Sequence, residues 1–244
     1  MWESPHSVPA LVPHEPHIWC VPLLAKEQQL QAWWTLLSSD EQKKAERYRF
    51  EKNTRQYIQA RGILRELLGE YLNCSPRRIE FDYNTYDKPT LKPQSKLKFN
   101  VSHSGQMALL AFNWDDEIGV DIEDSTREIE IDVVAKHFFS PNEVTTLTAL
   151  PLSEQQTTFF NCWTRKEAII KALGTGLAFP LNQFEVSMKI GSPARLLATH
   201  WDPEEAANWY MASFSPAENY IGAFAVRAKV KDLRLWQWSG KEST

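Results

Sequence analysis

Three short apolar runs between residues 99 and 122 constrain the fold more than any other feature of the sequence. Phe99–Val101, Met107–Trp114 and Ile118–Ile122 each have the length and composition of a β-strand. The polar sequence SHSG at 102–105 separates the first two runs, and a pair of aspartates at 115 and 116 precedes the third. Such residues favour tight turns. The pattern therefore predicts three strands joined by short turns.

Helical periodicity is the second strong signal, and it is clearest over residues 157–173. Trp163, Glu167, Ile170 and Lys171 fall on one side of this helix, and Gly174 follows where a left-handed cap is favoured. Further helices are predicted over residues 26–37 and 40–71, the second interrupted near 50–54. Further strands are predicted at residues 18–23, 184–188, 209–214 and 220–226.

The order of these elements predicts an α+β protein with three parts. Four prolines in the first 17 residues favour an extended arm over residues 1–17. Residues 18–116 are predicted to form an N-terminal lobe and residues 117–244 a C-terminal lobe. A chain of 244 residues is long enough for each lobe to bury a core without disulfides or zinc.

Composition excludes several classes of protein. The net charge of −4, with no basic stripe, argues against a nucleic-acid-binding protein. No apolar run approaches the roughly 18 residues of a membrane helix, and the N-terminal segment lacks the pattern of a signal peptide. The three cysteines (Cys20, Cys74 and Cys162) are widely spaced and are expected to be reduced thiols. We therefore expect a cytoplasmic protein.

Two acidic residues on the third predicted strand form the first candidate site. Asp121 and Glu123 are two residues apart, so on a strand they project from the same face. Neighbouring carboxylates repel each other unless a cation lies between them. Oxygen ligands without a nearby His or Cys favour Mg²⁺ over zinc. The alternative is an ordinary strand with an acidic exposed face.

The helix over residues 157–173 carries the second candidate site. Glu167 and Lys171 are four residues apart, in the order that favours a surface ion pair, which is one explanation of the pattern. Trp163 and Ile170 lie beside them, which favours partial burial. A partly buried carboxylate can complete a metal site or act as a base, and a lysine can reach a phosphate.

The SHSG turn is the third candidate segment. It is suited to contacts with an oxyanion, although polar hairpin turns are common.

These segments resemble a known family when they are taken together. FNVSHSG (99–105), GVDIE (119–123), FFSPNE (138–143) and WTRKEAIIKALGTGL (163–177) occur in this order, with YDKP (86–89) upstream. The set is similar to the 4′-phosphopantetheinyl transferases of the Sfp type, over roughly residues 47–184. The chain length matches the two-lobed, pseudo-dimeric members of that family.

The resemblance implies two similar α/β lobes related by a pseudo-two-fold axis, with the active site in the cleft between them. It implies an Mg²⁺-dependent enzyme that moves the 4′-phosphopantetheine arm of coenzyme A onto a serine of an apo acyl or peptidyl carrier protein. Adenosine 3′,5′-bisphosphate is the other product. Carrier proteins are acidic, so a basic surface should bind one. Because one chain contains both lobes, a monomer is sufficient to form the cleft. The candidates for that surface are Lys43, Lys44, Arg47 and Arg49.

The resemblance also implies roles for individual residues. Asp121, Glu123 and Glu167 would hold Mg²⁺, and Glu167 is also the candidate base for the carrier serine, directly or through a water. Lys171 would contact the pyrophosphate and assist the leaving group, which makes Glu167, Lys171 and Asp121 the predicted catalytic set. The other predicted contacts of coenzyme A are Ser102 and His103 on phosphate oxygens, Lys88 with Arg61 or Arg55 on the 3′-phosphate, and Glu143 near the pantetheine arm.

Two other functions remain open from the residues alone. A non-catalytic coenzyme A-binding protein would keep the phosphate contacts without needing all three carboxylates and the lysine. An Mg²⁺-dependent phosphodiesterase or nuclease shares the acidic and basic residues. A nuclease would want a basic groove along its substrate, however, and usually carries its Glu and Lys two apart on a strand.

Overall fold

The computed structural model describes residues 2–240 as a mixed α+β protein with four sheets. Residue 1 and residues 241–244, the outer ends of the predicted arm and of the predicted C-terminal lobe, lie outside the described residues. No helix within residues 2–240 is long and apolar enough to cross a membrane.

The first half of the chain supplies three strands of a four-stranded sheet, the helices that cover it and a small hairpin beside it. The fourth strand is β11 (Arg234–Gln237), from the C-terminal end of the chain. The sheet has the strand order β11-β1-β5-β4, in which β1 pairs antiparallel with β5 and β5 antiparallel with β4. The elements are β1 (His17–Pro22), α1 (Glu27–Trp34), α2 (Ser39–Glu46), α3 (Glu51–Leu72), β2 (Glu80–Tyr83), β3 (Pro89–Lys92), β4 (Leu97–Ser104) and β5 (Met107–Trp114).

The second half forms a three-stranded antiparallel sheet of order β6-β10-β9 and a two-stranded sheet of β7 and β8. One long helix packs on the larger sheet. The elements are β6 (Ile118–Asp124), α4 (Ile131–Phe138), α5 (Pro141–Thr148), α6 (Leu152–Leu173), β7 (Phe184–Val186), β8 (Leu196–Thr199), β9 (Tyr210–Phe214), β10 (Tyr220–Val226) and β11 (Arg234–Gln237).

Each half is built in the same way, which confirms the predicted fold class of two similar helix-and-sheet lobes. A 22-residue helix, α3 in one half and α6 in the other, buries an apolar face against its sheet. A third apolar cluster lies between the two sheets and joins side chains of β1 and β5 to side chains of β6 and β10. The two lobes are therefore held together by a separate hydrophobic core between their sheets.

Most predicted elements are present, with three differences. The SHSG segment predicted as a turn is mostly strand, because β4 runs through Ser104 and the chain turns at Gly105 and Gln106. The helical pattern over residues 40–71 is broken at 47–50 rather than at 50–54, because α2 ends at Glu46 and α3 begins at Glu51. The strand predicted at 184–188 is the short β7, which pairs with β8 and does not join the sheet that contains β9 and β10. All three cysteines are free.

The two ends of the chain cross between the lobes. β11 follows the second lobe in sequence but pairs parallel with β1 at the edge of the first sheet. The N-terminal arm runs back along β11, with the amide of Glu3 bonded to the carbonyl of Leu235 at 3.0 Å. The ring of Trp2 meets Phe214 of β9 edge to face, with 5.5 Å between the ring centroids.

Candidate functional site

The acidic face of β6 is formed as the alternation predicts. Val120 and Ile122 are buried in the cluster between the sheets, while Asp121 and Glu123 project from the opposite face. β6 is an edge strand of its sheet, and β4 is the facing edge strand of the other lobe. The carboxylates therefore lie where the two lobes meet.

Side chains of β4 take the place of a backbone ladder between these two edges. The Asn100 side chain accepts a hydrogen bond from the amide of Val120 at 2.9 Å, and the Ser104 hydroxyl accepts one from the amide of Asp124 at 3.0 Å. Ser102, halfway between them, is 3.4 Å from the amide of Ile122. Residues two apart on β4 thus bind residues two apart on β6, which fixes the register of one lobe against the other.

Asp121 is the centre of the site. Its Oδ1 atom accepts hydrogen bonds from the Ser102 hydroxyl at 2.8 Å and from Lys171 Nζ at 2.6 Å. Its Oδ2 atom is buried and has no hydrogen-bond donor within residues 2–240. A buried carboxylate oxygen left unpaired costs free energy, and such atoms mark places where an ion or a ligand binds.

Glu167 lies on α6 one turn before Lys171, and its ionised form is disfavoured. Burial in the cleft wall and the negative charges of Asp121 and Glu123 together raise its pKa to about 7, against the opposing charge of Lys171. No hydrogen bond to its carboxylate is formed within the part of the chain that the structure describes. A carboxyl with a pKa near neutrality is suited to accept a proton at physiological pH.

Glu123 is held from two sides. The Ser104 hydroxyl donates to its Oε2 atom at 3.0 Å, and Arg127 lies 3.5 Å from its Oε1 atom. Burial and the charge of Asp121 raise its pKa, while Arg127 lowers it. The three carboxylates therefore repel one another in the absence of a cation.

These side chains line one open cleft with a volume of about 360 Å³. His103 stands exposed at its mouth, where the surrounding protein and the nearby charge of Lys171 lower the pKa of the imidazole. Trp163 forms part of the wall and packs against Phe138. The lining residues are Val101, Ser102, His103, Asp121, Ile122, Glu123, Trp163, Glu167 and Lys171.

The oxygen donors of the cleft are of the kind that Mg²⁺ prefers, but they are not arranged around a metal position. Within residues 2–240 no three His, Cys, Asp or Glu side chains are close enough together to hold an ion as they stand. Lys171 supplies the positive charge instead, through its 2.6 Å contact with Asp121. The unpaired Oδ2 atom of Asp121 and the raised pKa values of Glu123 and Glu167 favour a further cation in this cleft.

Lys88 does not lie in this cleft. Its Nζ atom is 2.7 Å from Glu117 Oε2, and it also contacts the carbonyl oxygens of Ile118 and Ala172 at 3.4 and 3.3 Å. Glu117 is also paired with Lys98. The lysine is thus fully engaged with protein groups at the end of α6.

The two candidate arginines are also engaged elsewhere in the first lobe. Arg61 is buried, pairs with Glu41, and stacks on the ring of Phe81 at 3.8 Å. Arg55 pairs with Glu27 of α1. Both side chains hold helices together in the structure as it stands.

Glu143 lies in the core of the second lobe. It completes a capping box with Ser140 at the start of α5 and accepts a hydrogen bond from the amide of Val186 at 2.9 Å. Lys166 lies 2.8 Å away as its buried counter-ion. These contacts show a structural role for this carboxylate.

Sequence reasoning missed several residues that shape the turn at Gly105 and Gln106. Gln56 of α3 donates to the carbonyl of Gly105, and the amide of Gln106 donates to the hydroxyl of Tyr220 at 2.9 Å. Gly105 has φ = +55°, and a side chain there would overlap the Tyr220 hydroxyl. The turn that follows His103 and Ser104 is therefore fixed from both lobes. No local pattern could show this, because both partners are distant in sequence.

Comparison with known proteins gives a consistent result over nearly the whole chain. The family described as the 4′-phosphopantetheinyl transferase superfamily matches residues 117–225, and the one described as 4′-phosphopantetheinyl transferase, N-terminal, matches residues 24–115. The 4′-phosphopantetheinyl transferase HetI of Nostoc sp. is 37% identical over 231 residues, which cover 93% of this chain and 94% of that protein. The 4′-phosphopantetheinyl transferase Sfp of Bacillus subtilis is 29% identical over 162 residues, 66% of this chain and 71% of that protein.

Proposed function

The chain belongs to the 4′-phosphopantetheinyl transferase superfamily, and we propose that it transfers the 4′-phosphopantetheine arm of coenzyme A to a serine of an apo carrier protein. One observation supports this beyond family membership. The strand motif and the helix motif converge on one cleft, where Lys171 bridges Ser102 and Asp121 at 2.8 and 2.6 Å. A site of this kind can bind a pyrophosphate, with Glu167 beside it as a metal ligand, a base or both.

The reaction exchanges a phosphoanhydride bond of coenzyme A for a phosphoester bond to serine. The serine hydroxyl attacks the phosphorus that carries the pantetheine group, and the bond from this phosphorus to the bridging oxygen of the pyrophosphate breaks. Adenosine 3′,5′-bisphosphate leaves with that oxygen, and the serine proton passes to a base. Because little covalent chemistry is left to the protein, positioning and charge stabilisation carry most of the catalysis.

Glu167 is the proposed base, acting directly or through a water. In the metal-free protein its pKa of about 7 leaves it ionised in part at neutral pH and basic enough to take up a proton. Lys171 is the proposed partner of the pyrophosphate. It would exchange its contact with Asp121 for a substrate oxygen and stabilise the charge of the leaving group.

Asp121, Glu123 and Glu167 are the residues that would hold Mg²⁺. When bound, the ion would neutralise the charge of the pyrophosphate and orient it for attack. The protein's part is to supply three oxygen ligands whose mutual repulsion is relieved by a cation.

The remaining contacts of coenzyme A are proposed with different degrees of structural support. Ser102 and His103 line the cleft and are proposed to meet phosphate oxygens. The 3′-phosphate roles of Lys88, Arg61 and Arg55 stay predictions, since each of these cations pairs with a carboxylate of the protein. The position of Glu143 near the pantetheine arm also stays a prediction, because this carboxylate is buried.

The carrier protein is proposed to be acidic and to dock on the basic side chains at the end of α2. These side chains are exposed, and two of them border a depression with a volume of about 490 Å³. Opposite charge would steer the encounter. We propose that the protein acts as a monomer, since both walls of the cleft come from one chain. We also propose that it acts in the cytoplasm. The four basic residues are Lys43, Lys44, Arg47 and Arg49.

One experiment separates this function from its rivals. The protein, Mg²⁺ and coenzyme A are incubated with and without an apo carrier protein, and the nucleotides are separated by chromatography. A transferase releases adenosine 3′,5′-bisphosphate only when the carrier is present. Release without a carrier would indicate a phosphodiesterase, and binding of coenzyme A without any release would indicate a non-catalytic binder.

A further inference from the structure

The end of α6 is capped by the other lobe. The last carbonyl groups of a helix have no partner within the helix and must be satisfied by other groups. Two of them are satisfied locally, because the amides of Gly174 and Thr175 donate to the carbonyls of Lys171 and Ile170, both at 3.2 Å. The carbonyl of Gly174 accepts from Asn84 Nδ2 at 2.8 Å, and that of Ala172 lies 3.3 Å from Lys88 Nζ.

The turn that supplies these donors is closed by its own hydrogen bonds. Asn84 Oδ1 accepts hydrogen bonds from the amides of Tyr86 and Lys88, each at 2.9 Å. The amide of Asn84 donates to the carbonyl of Lys88 at 3.1 Å. The two ends of the Asn84 side-chain amide thus have different tasks, since the oxygen closes its own turn and the nitrogen holds the helix of the other lobe.

Lys88 is held in the same place by groups of the second lobe. Its side chain is only 9% exposed, and its three donors point to Glu117 Oε2 and to the carbonyls of Ile118 and Ala172. An ammonium group has three donors, so Lys88 is saturated by contacts that join the start of β6 to the end of α6.

The cap lies next to a close contact between α6 and β6. Gly119 of β6 lies so close to α6 that a methyl group on it would overlap the Ala168 carbonyl oxygen and crowd the Ala172 amide. The helix packs directly on the strand backbone at this point. A change in its orientation would therefore move Glu167 and Lys171 relative to the carboxylates of β6.

We propose that the turn of residues 84–88 is an interlobe cap that sets the orientation of α6, with Asn84 and Lys88 as positioning residues for Lys171 and Glu167. The cap would determine the contact between Lys171 and Asp121. The predicted effect on turnover rests on the proposed function. A displacement of about 1 Å at reacting groups can cost up to about a hundredfold in rate.

The test uses two variants and two substrates. Asn84→Asp keeps the acceptor that closes the turn but loses the donor to Gly174, and Lys88→Met keeps the stem but loses the charge. Thr85→Ala, an exposed position in the same turn, is the matched control. kcat and KM are measured with coenzyme A and with 3′-dephospho-coenzyme A, well below each variant's Tm, and calorimetric binding of coenzyme A counts the folded sites.

The expected result is a fall in kcat of about tenfold per folded site for both variants, with KM within about twofold. The fall is the same for both substrates, Lys88→Arg restores most of it, and Thr85→Ala has wild-type values. An effect of Lys88→Met confined to KM and seen only with coenzyme A would assign this lysine to the 3′-phosphate and overturn its role in the cap.

Amide hydrogen exchange tests the cap independently of the proposed function. Exchange at residues 170–174 should be faster in Asn84→Asp and unchanged in Thr85→Ala, whether or not any carrier is modified. Wild-type exchange and wild-type kcat in Asn84→Asp would overturn the cap. If the wild-type protein transfers nothing while the exchange effect is present, the cap stands and the proposed function fails.

Discussion

Replacing Glu167 by Gln should stabilise the metal-free protein at high pH and abolish transfer. Burial and the charges of Asp121 and Glu123 raise the pKa of Glu167 from an ordinary value of 4.5 to about 7. At 1.36 kcal/mol per pH unit, this difference means that ionisation of Glu167 destabilises the folded state by about 3 kcal/mol. A neutral glutamine of the same shape removes that penalty.

The sign of the effect depends on pH. The folded pKa lies above the unfolded one, so the stability gained from holding the proton is fully present below pH 4.5 and is lost as the pH rises through 7. Glu167→Gln should therefore be more stable than the wild type by about 3 kcal/mol at pH 8 and by less than about 1 kcal/mol at pH 5. For a protein of this size the gain at pH 8 corresponds to a Tm higher by about 6–12 °C.

The measurement is thermal unfolding in EDTA at pH 5, 6, 7 and 8, followed by circular dichroism. Glu154→Gln, at an exposed position in the first turn of the same helix, is the control and should stay within about 0.5 kcal/mol of the wild type. A gain for Glu167→Gln that is equal at pH 5 and pH 8, or a loss at pH 8, would refute the reasoning that like charges and burial oppose this carboxylate.

Three further predictions concern other parts of the molecule. Asp121→Asn should abolish transfer and weaken Mg²⁺ binding by calorimetry, with an unchanged circular dichroism spectrum; full activity would contradict its assigned role. Gly119→Ala should lower Tm by at least about 5 °C, because its methyl group overlaps the carbonyl of Ala168 and must part β6 from α6, and a wild-type Tm would show that the contact can relax. The buried His17, whose pKa is lowered to about 4 by burial and by Arg234, should cost stability as the pH falls from 6.5 to 4, and urea titrations of His17→Gln should show a flatter decline.

The parts of the site that rest on local periodicity could be predicted from the sequence. The alternation in β6 placed Asp121 and Glu123 on one face, and the four-residue spacing in α6 placed Glu167 and Lys171 on one side of the helix. The left-handed cap at Gly174 was predicted from the same segment and has φ = +72°. These features depend on neighbours within one element, which a pattern can report.

The placement of distant partners could not be predicted. Arg61 was predicted only as a candidate contact of the 3′-phosphate, yet it is buried against Glu41, a partner twenty residues away on another helix. Lys88 lies in a recognisable motif, but its contacts come from β6 and the end of α6. The pairing of β11 with β1 joins opposite ends of the chain. Each depends on how separate elements pack, which local periodicity does not contain.

The intact mass of an apo carrier protein tests the central claim most directly. The carrier is incubated with this protein, coenzyme A and Mg²⁺ and compared with a carrier in which the acceptor serine is alanine. The account predicts that the wild-type carrier gains the mass of one phosphopantetheine group, that the alanine carrier gains nothing, and that EDTA prevents the gain. An unchanged mass with acyl, polyketide and peptidyl carriers alike, from protein that binds coenzyme A, would contradict it.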